Sequence, residues 1–163
     1  MSGVKRFGVL NGDRLRLRPL TDNDFELYAG LYGDDNILRY IGPALDKQTL
    51  ESSFAVAIRL NQEAQCKRAF LAVELLDNTS VGILGLTVAE ETKKIEVGVI
   101  FKAEFQKNNL AFEALQTLIR FIQAEYSRYL LVAHVDPNNR AAVWLSRKLG
   151  FTLNNETGYF ELH

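Results

Sequence analysis

Apolar residues along the 163-residue chain recur with two periods, and these periods lay out its elements. Residues 14–18 read Arg-Leu-Arg-Leu-Arg, a period of two that predicts a first strand ended by Pro19. Thr21 follows as a helix N-cap, with Asp24 three residues on as its acidic capping partner. Phe25, Tyr28, Leu31 and Tyr32 then recur at helical spacing, and residues 33–36 break that helix. Residues 39–43 form a connector. A second helix is expected over 46–62, its inner face marked by Leu50, Phe54, Ala57 and Ile58. Strands are expected over 69–76, 81–89 and 93–101, the first two joined by a turn at 77–80. The longest helix spans 110–126, with Leu110, Ala114, Leu115, Leu118, Phe121 and Ile122 on its buried side. The apolar run 129–135 predicts a strand buried on both faces. A helix over 139–149 ends at Gly150, an apt residue just past a helix end. Two short strands, 151–153 and 159–162, close the chain.

The order β-α-α-β-β-β-α-β-α-β-β combines an antiparallel meander with a crossover through the long helix. That crossover predicts that the third meander strand and the 129–135 strand are parallel neighbours. No repeat, low-complexity stretch or linker interrupts the order, so residues 1–163 are expected to form one domain.

Composition narrows the function classes. A net charge of −1 argues against a nucleic-acid partner. The basic run at 14–18 alternates with leucine and reads as the solvated face of a strand. No apolar run approaches the length of a membrane span, and the first residues do not resemble a secretion signal. The single cysteine, Cys66, excludes an intrachain disulfide and suits a reducing compartment. A cytoplasmic protein is expected, as a monomer or homodimer. Cysteine, histidine and carboxylate spacings match no metal site.

The chemistry concentrates in residues 97–114. Gln106, Lys107, Asn108, Asn109, Leu110 and Ala111 occupy a bend between a strand and a helix N-terminus. Such a bend offers free backbone N–H groups and the positive end of a helix dipole, a seat for phosphate. The segment resembles the pyrophosphate loop Q/R-x-x-G-x-G/A of the GNAT acetyltransferases, with Asn109 in place of the central glycine and Lys107 where many relatives carry glycine. Asparagine is the residue after glycine that best tolerates the left-handed backbone such a turn needs.

Three further patterns support the resemblance. The chain carries Arg14-Leu15-Arg16-Leu17-Arg18-Pro19 with Asp24; Val81-Gly82-Ile83-Leu84-Gly85-Leu86; and Asp136-Pro137-Asn138-Asn139 running to Lys148-Leu149-Gly150-Phe151. In order and spacing these are similar to the branch containing the ribosomal-protein N-terminal acetyltransferases, over residues 14–151. The resemblance implies an α/β (α+β) fold with a mixed, mostly antiparallel central sheet, flanking helices and a splayed strand pair. It implies acetyl-CoA as co-substrate and direct transfer of acetyl to a primary amine: a protein N-terminus, a peptide or a small molecule. Backbone groups of Val99, Ile100 and Phe101 would meet the pantetheine arm, residues 106–111 the pyrophosphate, and Asn139 the arm again while capping its helix.

Amine transfer needs a base, a polarised thioester carbonyl and a route for the leaving thiolate. Glu96 matches an acidic position of the family and is the first candidate base, against a plain charge on the open face of the strand. His134 is the second candidate, and Glu74 a third. Ser146 stands where many relatives place an acidic tyrosine, and Ala142 where some carry serine. The alternative to an enzyme is a non-catalytic acyl-CoA-binding or protein-interaction module on the same fold. Trp144, Tyr40 and the Phe25/Tyr28/Tyr32 stripe read as packing or interface residues, and Cys66 lacks the histidine partner of a nucleophile.

Overall fold

A computed structural model describes residues 3–163. Its strands are β1 (Leu10–Asn11), β2 (Leu15–Pro19), β3 (Arg68–Leu75), β4 (Ser80–Ala89), β5 (Lys94–Phe101), β6 (Leu130–Ala133), β7 (Thr152–Leu153) and β8 (Phe160–Leu162). Its helices are α1 (Phe25–Tyr32), α2 (Lys47–Gln62), α3 (Leu110–Glu125) and α4 (Arg140–Lys148). The strands form one eight-stranded sheet in the order β1-β2-β3-β4-β5-β6-β8-β7. Every neighbouring pair is antiparallel except β5 and β6, which are parallel as the crossover through α3 predicts.

Each face of the sheet has its own core. Ala69, Leu71, Leu84, Leu86, Ile95 and Val97 point toward α3 and meet Leu115, Leu118 and Ile122. Phe70, Ala72 and Ile83 point the other way, onto Leu31, Phe54 and Ala57 of α1 and α2. Central strands covered on both faces read as continuous apolar runs, which is the composition of β3 and β4. Among the described residues no helix is long and apolar enough to cross a membrane.

Several expectations are adjusted. β1 carries no periodic signal at two residues and forms only as a hairpin with β2, where Gly12 N–H donates to Leu15 C=O at 2.8 Å. The first strand ends at Pro19 as expected, with Pro19 itself as the last paired residue, opposite Leu71. The Tyr129–Val135 run pairs only from Leu130 to Ala133, so His134 and Val135 lie beyond the strand. In the final hairpin the last strand, β8, inserts beside β6 and leaves β7 at the edge.

The arginine run is not a solvated face. Arg16 and Arg18 both reach Glu74 on the neighbouring strand, at 2.7 and 3.0 Å, and Arg18 also holds Asp24 through two bonds of 2.8 and 3.0 Å. Asp24 in turn accepts from the Thr21 N–H at 2.7 Å, completing the predicted capping box. Burial by itself would raise both carboxyls. For Asp24 the Arg18 guanidinium, and for Glu74 those of Arg18 and Arg16, outweigh it and hold each carboxyl below its usual range. Glu74 is thus an ion-paired structural carboxylate and carries no free basicity for catalysis.

Candidate active site

The site begins where β5 and β6 separate. Their ladder runs from Lys94 opposite Leu130 to Glu96 opposite Val132 and stops there. Beyond it β5 continues beside β4, while the other chain turns toward α4. Strand alternation decides which backbone groups face the opening. Lys93 C=O accepts from Leu130 on the β6 side at 2.8 Å, and Lys102 N–H donates to Val81 on the β4 side at 2.9 Å. Every second residue from Lys93 therefore faces β6, and the others face β4. Val99 accordingly directs both its N–H and its C=O into the opening. Ile100, expected to do the same, spends its backbone groups on β4 opposite Ile83. Phe101 buries its ring in the α3 core, and its C=O is taken by the Gln106 amide at 3.1 Å.

The loop that follows has the geometry the resemblance implies, without its glycine. Asn108 and Asn109 both adopt left-handed backbone, at φ 70° and 60°. Asn109 is the N-cap residue of α3, yet its side chain makes no capping bond. The first-turn N–H groups thus remain available to an anion. Gln106 is turned back onto β5 and ties the loop to the strand rather than facing the helix N-terminus. Lys107 is exposed beside it.

Two residues that the local pattern did not single out brace this loop. Arg14 donates to Glu113 Oε1 at 2.7 Å and to the Asn108 carbonyl at 3.1 Å. Lys148, at the end of α4, brings its ammonium to 3.4 Å from Asn109 Oδ1 and over the rings of Phe112 and Trp144. The exposed Trp144 is thereby packed on a cation beside the loop. Neither contact leaves a local signal, because the partners lie 94 and 39 residues apart in the chain.

A cleft of about 460 Å³ runs through the opening from the α3 side to the α1–α2 side. Asn139 lines it, and its Oδ1 caps α4 by accepting from Ala142 N–H at 3.1 Å, while its amide NH₂ has no partner among the described residues. Ser146 lines it too, but it is buried and its hydroxyl donates to Ala142 C=O at 2.9 Å. Glu96 and His134 lie on the α1–α2 side. Glu96 is exposed, its neighbours in the ladder being Thr87 and Val132. It also walls a second hollow of about 250 Å³ beside Lys94, Tyr159 and Glu161. His134 is exposed, with its ring 5.0 Å from that of Tyr159. Next to Glu96, Gly85 and Gly98 pair across β4 and β5. Neither has positive φ, and a Cβ on Gly98 would meet nothing within 4 Å. Here glycine leaves open floor rather than serving a turn. Cys66 is buried away from the cleft and burial pushes its thiol up to about 11.

The arrangement suits an extended thioester ligand. A strand edge with free donor and acceptor groups leads into the loop and helix start that follow it, with Lys107 and Lys148 beside that loop, and the Glu96 carboxylate of the same strand lines the cleft.

Comparison with known proteins agrees. The profile of the acetyltransferase (GNAT) domain matches residues 14–152. An uncharacterised N-acetyltransferase, YoaA of Bacillus subtilis, is 26% identical over 148 residues, covering 89% of this chain and 83% of that protein. The spermidine N-acetyltransferase of Vibrio cholerae, solved with CoA and spermine, superposes with a TM-score of 0.75 at 22% identity, over 86% of this chain and 82% of that one. The RimL ribosomal L7/L12 α-N-protein acetyltransferase gives 0.76 at 17% identity, over 90% and 81%. The chain belongs to the GNAT acetyltransferase family and is an N-acetyltransferase that uses acetyl-CoA as its co-substrate.

Proposed function

We propose that the acceptor amine enters from the α1–α2 side and that Glu96 removes its proton as the acetyl group is transferred. The observation that carries this reading is the continuity of the cleft: Val99 and Glu96, three residues apart on β5, line one opening just where the pairing with β6 stops. Bound acetyl-CoA supplies an activated acetyl carbon and a thiolate leaving group. The amine nitrogen bonds to that carbon, the C–S pair departs with sulfur, and the amine proton passes to Glu96 directly or through one water. Val99 N–H is placed to polarise the carbonyl. Residues 107–111 hold the pyrophosphate, with Gln106 positioning the loop, and Asn139 uses its free amide NH₂ on the arm. His134 stands at the mouth as a second proton carrier. Ser146 donates its proton to Ala142, so the thiolate leaves without an acid from that position. The acceptor is a small-molecule or peptide amine. We place the protein in the cytoplasm as a single domain, monomeric or homodimeric, with its one thiol buried.

Calorimetric titration with acetyl-CoA, followed by steady-state transfer with Glu96→Gln, tests this. Micromolar binding by both forms, with kcat for the variant lower by roughly 10²–10⁴-fold, is the expected result. A variant as fast as the parent removes Glu96 as the base and leaves His134.

A further inference from the structure

The end of the cleft away from the splay carries a charge that the transfer chemistry does not use. Arg68 opens β3 and faces Thr87 of β4, which faces Glu96 of β5. The three residues share one face of the sheet, the face on which Phe70 and Ile83 pack against α1 and α2. Neighbouring strands lie about 4.8 Å apart, so the Arg68 and Glu96 backbones stand roughly 10 Å apart. The Arg68 guanidinium does not close that distance. It lies over the Phe70 ring at 4.9 Å and enters no ion pair among the described residues. Phe70 is itself held firmly, its N–H and C=O both bonded to the Asn61 amide at 2.9 Å.

From Phe70 the floor passes over Gly85 and Gly98 to the splay, with no side chain rising from either glycine. Tyr32 lines the same end, and burial pushes its hydroxyl up to about 12, so it stays neutral. Both carboxylates lining the cleft, Glu96 and Asp136, belong to the splay end. The cleft thus has a proton acceptor at one end and an unpaired cation, stacked on an aromatic ring, at the other. A guanidinium stacked in this way keeps its edge N–H groups free for a carboxylate.

Resting on the reading that amines enter from this side, we propose that Arg68 selects the acceptor. The substrate is an amine that carries an anionic group at the far end of an extended body, with the amine at Glu96 and the anion on Arg68. A second ammonium in that place would meet the guanidinium directly, so polyamines are disfavoured.

Three acceptors of equal length test this: aminohexanoate, its neutral amide, and diaminohexane. The acid is expected to exceed the amide by about tenfold in kcat/KM, chiefly through KM, with the diamine slowest. Arg68→Gln brings the acid down to the amide, and Arg68→Glu inverts the order. Thermal melts of both variants establish that they are folded. A diamine that leads with the parent protein, or an order that survives Arg68→Glu, overturns the proposal while leaving acetyl transfer intact. Absence of transfer to all three overturns it as well. Failure of the parent protein to bind acetyl-CoA in the calorimeter removes instead the transferase reading beneath it.

Discussion

Substituting Asn109 by alanine isolates the left-handed turn in front of α3. At φ 60° and ψ 22° a Cβ crowds the following carbonyl, a penalty of roughly 1–2 kcal/mol for an ordinary residue that asparagine partly escapes. The side chain makes no capping bond, so removing it loses no cap. Its exposed contact with Lys148 is long, at 3.4 Å, and contributes little. Alanine is therefore expected to lower stability by about 1 kcal/mol, and glycine to equal or exceed asparagine. For a chain of this size that is a fall of about 2–4 °C in Tm. Urea unfolding without ligand reads the difference directly, with an unchanged m-value. Asn108, at φ 70°, provides an internal repeat of the same experiment. Acetyl-CoA affinity follows separately: glycine opens the loop mouth and should bind at least as tightly as asparagine, while alanine binds more weakly. An alanine variant as stable as the parent would refute the reasoning, because the turn would then not depend on left-handed tolerance at this position.

Acid should destabilise the protein through the Arg18 network. Asp24 and Glu74 both ionise below their ordinary values of 3.8 and 4.5. Their contribution is complete above those values and is lost progressively as pH falls from them through the lower values of the folded state, so the urea midpoint should stay level from neutral pH and drop below about 4.5. Arg18→Met leaves two carboxylates without their shared partner. It should cost roughly 2–4 kcal/mol at neutral pH and flatten that acid dependence, which the same titration measures. Gly98→Val places a branched side chain on the open floor of the cleft, where a Cβ meets nothing within 4 Å. The variant should melt at or above the parent temperature and yet raise the acceptor KM more than tenfold, as steady-state kinetics would show.

The elements were legible in the sequence because they follow from local rules. The 3.6-residue period of Leu110, Ala114, Leu118 and Ile122, the capping pair Thr21 and Asp24, and the left-handed tolerance of Asn109 are each decided within a few residues. The parallel pairing of β5 and β6 followed from a long helix joining two apolar runs. Tertiary structure decided what depends on residues distant in the chain. It gave Arg16 and Arg18 their partner Glu74 about 57 residues away, and so turned an apparently solvated face into an ion-pair ladder. It placed β8 rather than β7 beside β6, a choice that two- and three-residue strands cannot signal. It brought Arg14 and Lys148 to the loop before α3, turned the backbone of Val99 rather than Ile100 into the opening, and set Arg68 in one row with Glu96. Period and φ preference act within a turn or a strand, whereas the cleft is an absence of pairing between β5 and β6, which exists only once both strands have found their other neighbours.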